Sequence, residues 1–539
     1  MEIVRRVEKL NKKYVIVVPI LFGLILILYS YHLSYPLLMN SVDDFIFNHI
    51  SQTYWIGLFI IMPSFFILAT ISERNIVKLI ACIGILFSMY SIKFFYYSFP
   101  SSDIHYVRGL MEYVLSTGDL DPVKNFHDYY QWPFFFILNQ MFIIITNINL
   151  RNIEYILFII FGIIYISSLY VYYYNFNKKS NYISIIAFLL IMYWFLNYQY
   201  APFSMAMGFL FILYMIESNN KITRSHTMIS LFMYICITFT HPFAAIFYIS
   251  YLLIIYILYR KKIHLQLFVF TLIFYLAYTI YSTKFFIPIV FYQISRINII
   301  QYSIIVRRTF LGRISKAPFI DVVSQTFSRI IVISASIFTG AGFFLLLIKK
   351  KFRKIDNSLF ISSVFFVIAG ALIPVIGMRV VFSLVIPISI GINYYFNSKY
   401  KKITITLFYI LISLFPFIPL TQSFSDRQVM YQTENEYIDT NFFINHHDWS
   451  RTDTILSHFR LSHYLKAKTS SSTLFPHDLS PDFPDNIEDS NCIIYTVGLG
   501  KTLFLHNYSL TTFLDENMYN RIYDSHFSYI SMKSNERGR

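Results

Sequence analysis

The sequence predicts an all-α polytopic membrane protein with about 13–14 transmembrane helices, an outer juxtamembrane helix loop and a small C-terminal extracytoplasmic α/β domain. Three observations lead there. The chain of 539 residues is 56% hydrophobic and 20% aromatic with mean hydropathy +0.54, so it lacks the polar surface of a water-soluble globule. Apolar runs of roughly 18–20 residues recur along most of its length, each long enough to cross about 30 Å of hydrocarbon as a helix. These runs do not alternate polar with apolar residues, which excludes a closed β-barrel. After residue 420 the runs stop, and Ser, Asp, Asn, His and Pro become common, as in SSSTLFPHDLSPDFPDNIEDSN.

The expected spans are 14–34, 54–72, 77–98, 133–148, 154–174, 182–198, 202–217, 228–241, 243–259, 264–281, 329–348, 358–376, 380–396 and 403–420. Arg5, Arg6, Lys9, Lys12 and Lys13 precede the first, and no clean small-residue cleavage site follows it. It therefore reads as a membrane helix with its N-terminus in the cytoplasm, rather than a cleaved signal. From residue 217 onward the positive-inside tendency gives one consistent topology. Loops with Lys221 and Arg224, Arg260 to Lys262, Lys349 to Lys354 and Lys399 to Lys402 fall inside. The segments around His241, 282–328 and Arg379 fall outside, as does everything after Gln422.

In the N-terminal third, Arg74 and Lys78 fall inside and the loop after the third span falls outside. Joining the two parts with Lys178 and Lys179 inside needs one crossing fewer or more between 133 and 217. Either 133–148 is too short to cross, or 182–217 is one helical unit broken near Pro202.

The chain thus divides into a membrane domain, 1–420, and a C-terminal domain, 421–539. In the latter, CIIYTVG (492–498), TLFLHNY (502–508) and HFSYISM (526–532) read as strands, and NEYIDTNFFINHHDW starts as a helix. The formal charge of +15 resides largely in short loops, so it reports topology rather than nucleic-acid binding. Cys82, Cys236 and Cys492 offer neither a disulfide framework nor a zinc spacing.

Charged side chains make up only 14% of the chain, yet the loop from Ser101 to Pro133 holds Asp103, Glu112, Asp119, Asp121 and Asp128 with His105, His127 and Arg108. A carboxylate at that membrane–water boundary can hold a metal or act on a polar substrate. In IHYVRGLMEYVLS, apolar residues recur at helical spacing and predict a short helix on the membrane surface. Asp103 falls at its N-cap, where it serves either as a cap alone or as a catalytic or metal-binding group, with His105 beside it. Asp119 and Asp121, between Gly118 and Pro122, fit a turn or a divalent-cation pair. His127 and Asp128 adjoin an aromatic belt, and His127 is a candidate ligand or proton shuttle. His241 at a helix end reads as a hydrogen-bonded structural residue or a lining group of the same site.

Arg379, between two apolar runs, needs water, a headgroup or an anionic ligand. The outer segment 282–328 carries Lys284, Arg296, Arg307, Arg308, Arg313 and Lys316 against the positive-inside tendency. Anionic membrane lipids or a phosphate-bearing lipid substrate would use that charge.

SSDIHYVRG after an early span, the aromatic-Pro entry YYQWPFFFILNQ, and a many-spanning core before a C-terminal domain together resemble the GT-C-type membrane glycosyltransferases. NYQYAPFSMAMGFLFILYM, THPFAA and the Arg of GMRVVFSLVIPISIG resemble bacterial and archaeal members of that family. The resemblance covers roughly residues 80–420 and implies sugar transfer, with inversion, from a polyprenyl-phosphate-linked donor to a glycan, lipid or protein acceptor. It places the family's first-loop acidic residue on Asp103, as general base or as ligand of a divalent metal, Mg or Mn. Arg379, Arg307, Arg308 and Arg313 would hold the phosphate, and His127, Asp128 and His241 would line the site. The implied location is the plasma membrane, with the C-terminal domain outside the cell. Two other readings stand beside it. An envelope-polysaccharide polymerase or ligase would depend on Arg residues more than on Asp103, so Arg308→Ala compared with Asp103→Ala separates the two. A lipid-linked sugar transporter or flippase would need charged side chains along a path through the helices.

Overall fold

The computed structural model of the chain describes residues 2–35, 46–95, 102–118, 120, 131–178, 181–193, 200–219, 223–260, 262–283, 319–372 and 381–420, with strands at 455–457, 492–496, 519–524 and 528–533. Helices occupy every expected apolar run. The first group is α1 (Glu2–Ser34), α2 (Ile46–His49), α3 (Gln52–Ile71), α4 (Asn75–Tyr90), continued by a 3-10 turn Ser91–Phe95, and α5 (Ser102–Thr117). Next come α6 (Phe134–Thr146), α7 (Leu150–Phe176), α8 (Asn181–Met192), α9 (Pro202–Glu217), α10 (Arg224–Thr240), α11 (Pro242–Tyr259) and α12 (Lys262–Ser282). The last are α13 (Phe319–Ile348), α14 (Lys354–Leu372), α15 (Val381–Ser389), α16 (Ile392–Phe396), α17 (Lys401–Leu414) and α18 (Phe417–Leu420).

Among the described residues, 8 helices are long and apolar enough to cross a membrane, fewer than the spans expected from hydropathy. Length accounts for part of the difference. Helices α6, α8 and α9 have 13, 12 and 16 residues, and α15 stops at Ser389 before α16 resumes. Helix α13 departs in the other direction. It begins ten residues or so before its expected span, so the basic segment read as 282–328 ends in helix rather than loop.

Contacts sort the helix ends into two sets. Arg108 of α5 pairs with Glu154 near the start of α7, Arg151 lies 5.5 Å from the Tyr35 ring after α1, and Tyr278 of α12 donates to the Gln131 carbonyl before α6. At the other end of α7, the Tyr172 hydroxyl donates to Asp356 of α14, and Asn175 donates to Ser218 after α9. Helix α6 begins at the first set, its Gln140 donates to the Val114 carbonyl of α5, and α7 then starts at that same end. At about 20 Å long, α6 is too short for a 30 Å hydrocarbon layer and does not cross. This is the first of the two topologies left open by the charge pattern, and it places Lys178 opposite α5.

Several polar groups of the crossing helices are satisfied within the helix itself, as hydrocarbon favours. Ser64, Thr70, Ser88, Thr238 and Thr240 each donate to the carbonyl one turn back. Small residues set the closest approaches. A Cβ on Gly57 of α3 would lie 2.8 Å from the Gly23 carbonyl oxygen of α1, and one on Gly342 of α13 would lie 2.2 Å from that of Gly391. Outward faces stay apolar: Val15, Val18, Ile25 and Leu28 of α1 are exposed, as suits a lipid contact.

After residue 420 the described residues form one four-stranded sheet. Strands β1 (Ile455–Ser457), β2 (Cys492–Thr496), β3 (Tyr519–Asp524) and β4 (Ser528–Lys533) lie in the order β1-β2-β4-β3. β1 runs parallel to β2, and the other pairs are antiparallel. Two expected strands appear as β2 and β4, while β1 and β3 were not expected. TLFLHNY and the NEYIDTNFFINHHDW helix lie outside the described residues.

Candidate functional site at the α5 end

Helix α5 forms where the amphipathic pattern placed it, but its apolar face meets protein. Val107, Leu110, Met111 and Val114 are fully buried against the bundle, and Ser116 and Thr117 face out. Gly118 ends the helix at φ +70°, its amide donating to the Val114 carbonyl at 2.8 Å.

The polar anchor of α5 is Arg108. Its guanidinium donates through Nε to Glu154 Oε1 at 2.7 Å and through a second nitrogen to Glu154 Oε2, with both side chains buried. A planar fork on a carboxylate fixes orientation as well as distance. An amphipathic helix that would otherwise slide on its apolar face is thereby locked to α7.

More polar groups gather beside this pair. Lys93, in the 3-10 turn after α4, is buried, with its ammonium 5.1 Å from the Tyr90 ring centroid and 6.0 Å from that of Phe158. The Tyr155 hydroxyl donates to the Lys93 carbonyl at 3.5 Å. Tyr200, entering α9, donates to Asn139 Oδ1 of α6 at 2.7 Å and interacts electrostatically with both Glu154 and Arg108. His241, between α10 and α11, is buried with its ring edge-on to Phe203 at 4.9 Å. The segment 200–203 thus links His241 to the α5 anchor.

Of the residues singled out in the sequence, Asp103 and His105 lie in the first turn of α5, where only their backbone is described. Asp103 therefore falls inside the helix rather than at the N-cap, because the helix begins at Ser102. A carboxylate there still complements the positive helix end. His241 reaches the same end of the bundle. Asp119, Asp121, His127, Asp128, Arg307, Arg308, Arg313 and Arg379 lie outside the described residues. Sequence reasoning passed over Glu154, Lys93, Asn139 and Tyr200. Glu154 and Lys93 carried a usable signal, an ionisable group at the edge of an apolar run.

Among the described residues, no group of three His, Cys, Asp or Glu side chains is placed to hold a metal ion. Glu154 spends both oxygens on Arg108, so it does not serve as a ligand. The described donors do not fit a divalent cation at this end.

At the opposite end a second polar set closes the bundle. Arg353 donates to both oxygens of Asp356 at 2.8 Å each, and Asp356 also accepts from Tyr172 at 2.8 Å. Burial alone would lower the Arg353 pKa, but the Asp356 hydrogen bonds and charge raise it, so the guanidinium stays charged.

No protein-family model matches the sequence, and no curated protein matches it. Among solved structures, the chain is similar to the Archaeoglobus fulgidus oligosaccharyltransferase, crystallised with a disulfide-tethered acceptor peptide containing the NVT sequon. The likeness covers 85% of this chain and 74% of that one, at 11% identity and a TM-score of 0.48. A similarity of that size assigns neither family nor residues. What the described structure defines is a multi-pass helical membrane protein with a polar site under a clamped loop helix.

Proposed function

We propose that the chain is a membrane glycosyltransferase of the GT-C type, moving a sugar from a polyprenyl-phosphate-linked donor to a glycan, lipid or protein acceptor at its α5 end. One observation supports the reading above the others: the buried Arg108–Glu154 clamp. It fixes a short, acid-bearing helix at one end of an apolar bundle, and a helix held only for packing needs no buried ion pair. Asp103 lies about 7.5 Å from Arg108 along the helix axis, so the clamp also sets where its carboxylate can act.

In this reading the acceptor attacks the anomeric carbon of the lipid-linked sugar as the bond from that carbon to the phosphate oxygen breaks. A single displacement inverts the centre. The acceptor proton passes to Asp103, assisted by His105, and the electron pair leaves on the polyprenyl phosphate. Arg379, Arg307, Arg308 and Arg313 would stabilise the departing phosphate, Arg being suited to bidentate contact with its oxygens. His127, Asp128 and His241 would line the acceptor side. The charge pattern supports an extracytoplasmic position for this end and for the C-terminal sheet, with the N-terminus in the cytoplasm.

A transporter of the same lipid-linked sugar would need ionisable groups along its path. Two described clusters, at Glu154 and at Tyr172–Asp356, lie at opposite ends of α7, roughly 27 Å apart at 1.5 Å per residue. The test is turnover of polyprenyl-phosphate sugar by the full chain in reconstituted vesicles. The proposal expects free polyprenyl phosphate to accumulate in step with acceptor glycosylation, on one face only. Movement of intact donor across the bilayer without release of polyprenyl phosphate would contradict it. If Asp103 holds Mg or Mn rather than the acceptor proton, EDTA will abolish turnover and either ion will restore it. Full turnover in EDTA leaves Asp103 as the base.

A further inference from the structure

The transfer reading leaves unused the carboxylate of Glu217, the last residue of α9, at the end of the bundle opposite α5. Its side chain is 1% exposed. One oxygen accepts from the Tyr248 hydroxyl of α11 at 3.2 Å, and the other has no hydrogen-bond partner. The Tyr251 hydroxyl, on the same face of α11 one turn on, is also buried without a partner. The Tyr248 and Tyr251 rings stack at 6.1 Å, Tyr214 of α9 meets Tyr251 edge-on at 5.4 Å, and Glu217 interacts electrostatically with Tyr251. Ser230 of α10 adds a third hydroxyl beside Tyr248. Helix α11 thus brings two tyrosines to one buried carboxylate of α9, with Ser230 of α10 beside the first of them.

Among the described residues, no basic side chain meets the charge of that carboxylate. Arg353 reaches the Ser218 carbonyl next to Glu217 at 3.5 Å, but its guanidinium is committed to both oxygens of Asp356. Lys354 donates to the Leu258 carbonyl at the end of α11 and lies 5.2 Å from the Tyr259 ring centroid. A buried anion without a counter-charge is strongly unfavourable, and buried hydroxyls without partners add to that penalty. A donor set of oxygens alone, carrying one negative charge, matches a small hard monovalent cation. It offers neither the several carboxylates that calcium takes nor the nitrogen and sulfur ligands of zinc.

We infer that Glu217, Tyr251, Tyr248 and Ser230 form a binding site for a monovalent cation of sodium size that locks α9, α10 and α11 together at the end opposite the transfer site. The site rests on packing and charge, so it stands whether or not the chain transfers sugar. It is tested without any transfer assay, by thermal unfolding of the detergent-solubilised full chain at pH 8 in sodium, potassium or choline chloride of equal ionic strength. Sodium is expected to raise the midpoint by roughly 2–4 °C over choline, with a saturable dependence on concentration. Glu217→Gln, which keeps shape and removes charge, is expected to fold and to lose the sodium increment, and Tyr251→Phe to weaken it. Equal midpoints in sodium and choline for the parent chain would overturn the proposal in favour of a protonated carboxyl or a buried water. A sodium increment that survives Glu217→Gln would overturn it as well.

Discussion

Arg108 and Glu154 show how much one pair can decide. They are 46 residues apart in sequence and fully desolvated, so removing either leaves an uncompensated buried charge. Arg108→Ala or Glu154→Ala is expected to destabilise the chain by about 3–5 kcal/mol, whereas Arg108→Met with Glu154→Leu is expected to be near neutral. Thermal unfolding of the four chains compares breaking the pair with replacing it, and single variants as stable as the parent would show that the pair is not buried. The double variant is further expected to lose sugar transfer at retained stability, because α5 keeps its apolar contacts and loses its fixed orientation. That Arg108 belongs to the acidic loop was legible in the sequence, but its role as the anchor of α5 was not. Nor was its partner. An ion pair closed over 46 residues leaves no spacing to read.

Elements were more legible than pairs, for a physical reason. Hydrocarbon thickness fixes how many apolar residues a crossing helix needs, so runs could be placed without knowing their neighbours. The amphipathic period placed α5 in the same way. What the runs could not reveal was which helices fall short. Helix α6 looks like a span by composition, and only its contacts with α5 and the start of α7 show that it stays at one end. Close backbone approach was equally hidden. Gly340 and Gly342 are two residues apart on α13, yet a Cβ on Gly340 meets nothing within 4 Å and one on Gly342 meets backbone at 2.2 Å. Gly342→Ala is expected to force α13 from the Gly391 turn and destabilise the chain by about 1–3 kcal/mol, while Gly340→Ala leaves it unchanged or slightly more stable. Equal unfolding midpoints for the two variants would mean that the helices are not in backbone contact.

At the scale of the whole molecule, polar groups divide between the two ends of the bundle. The α5 anchor, Lys93, Tyr200 and His241 gather at one end, while Arg353, Asp356 and Glu217 gather at the other. Labelling single cysteines with an impermeant maleimide, in a chain whose native cysteines are replaced, tests that division. Ser116→Cys on α5 and Thr146→Cys at the end of α6 are expected to react from the same side, and Lys399→Cys from the other. Thr146→Cys reacting together with Lys399→Cys would mean that α6 crosses and that 182–217 is a single crossing unit.

Central to the proposed function is a carboxylate carried on a clamped helix that activates the acceptor of a lipid-borne sugar. The most direct measurement is sugar transfer by Asp103→Asn in reconstituted vesicles, paired with its unfolding midpoint. A fall of about 100-fold or more at an unchanged midpoint is the expected result. Undiminished transfer by that variant would contradict the claim, because the side chain would then be doing nothing beyond favouring the start of α5.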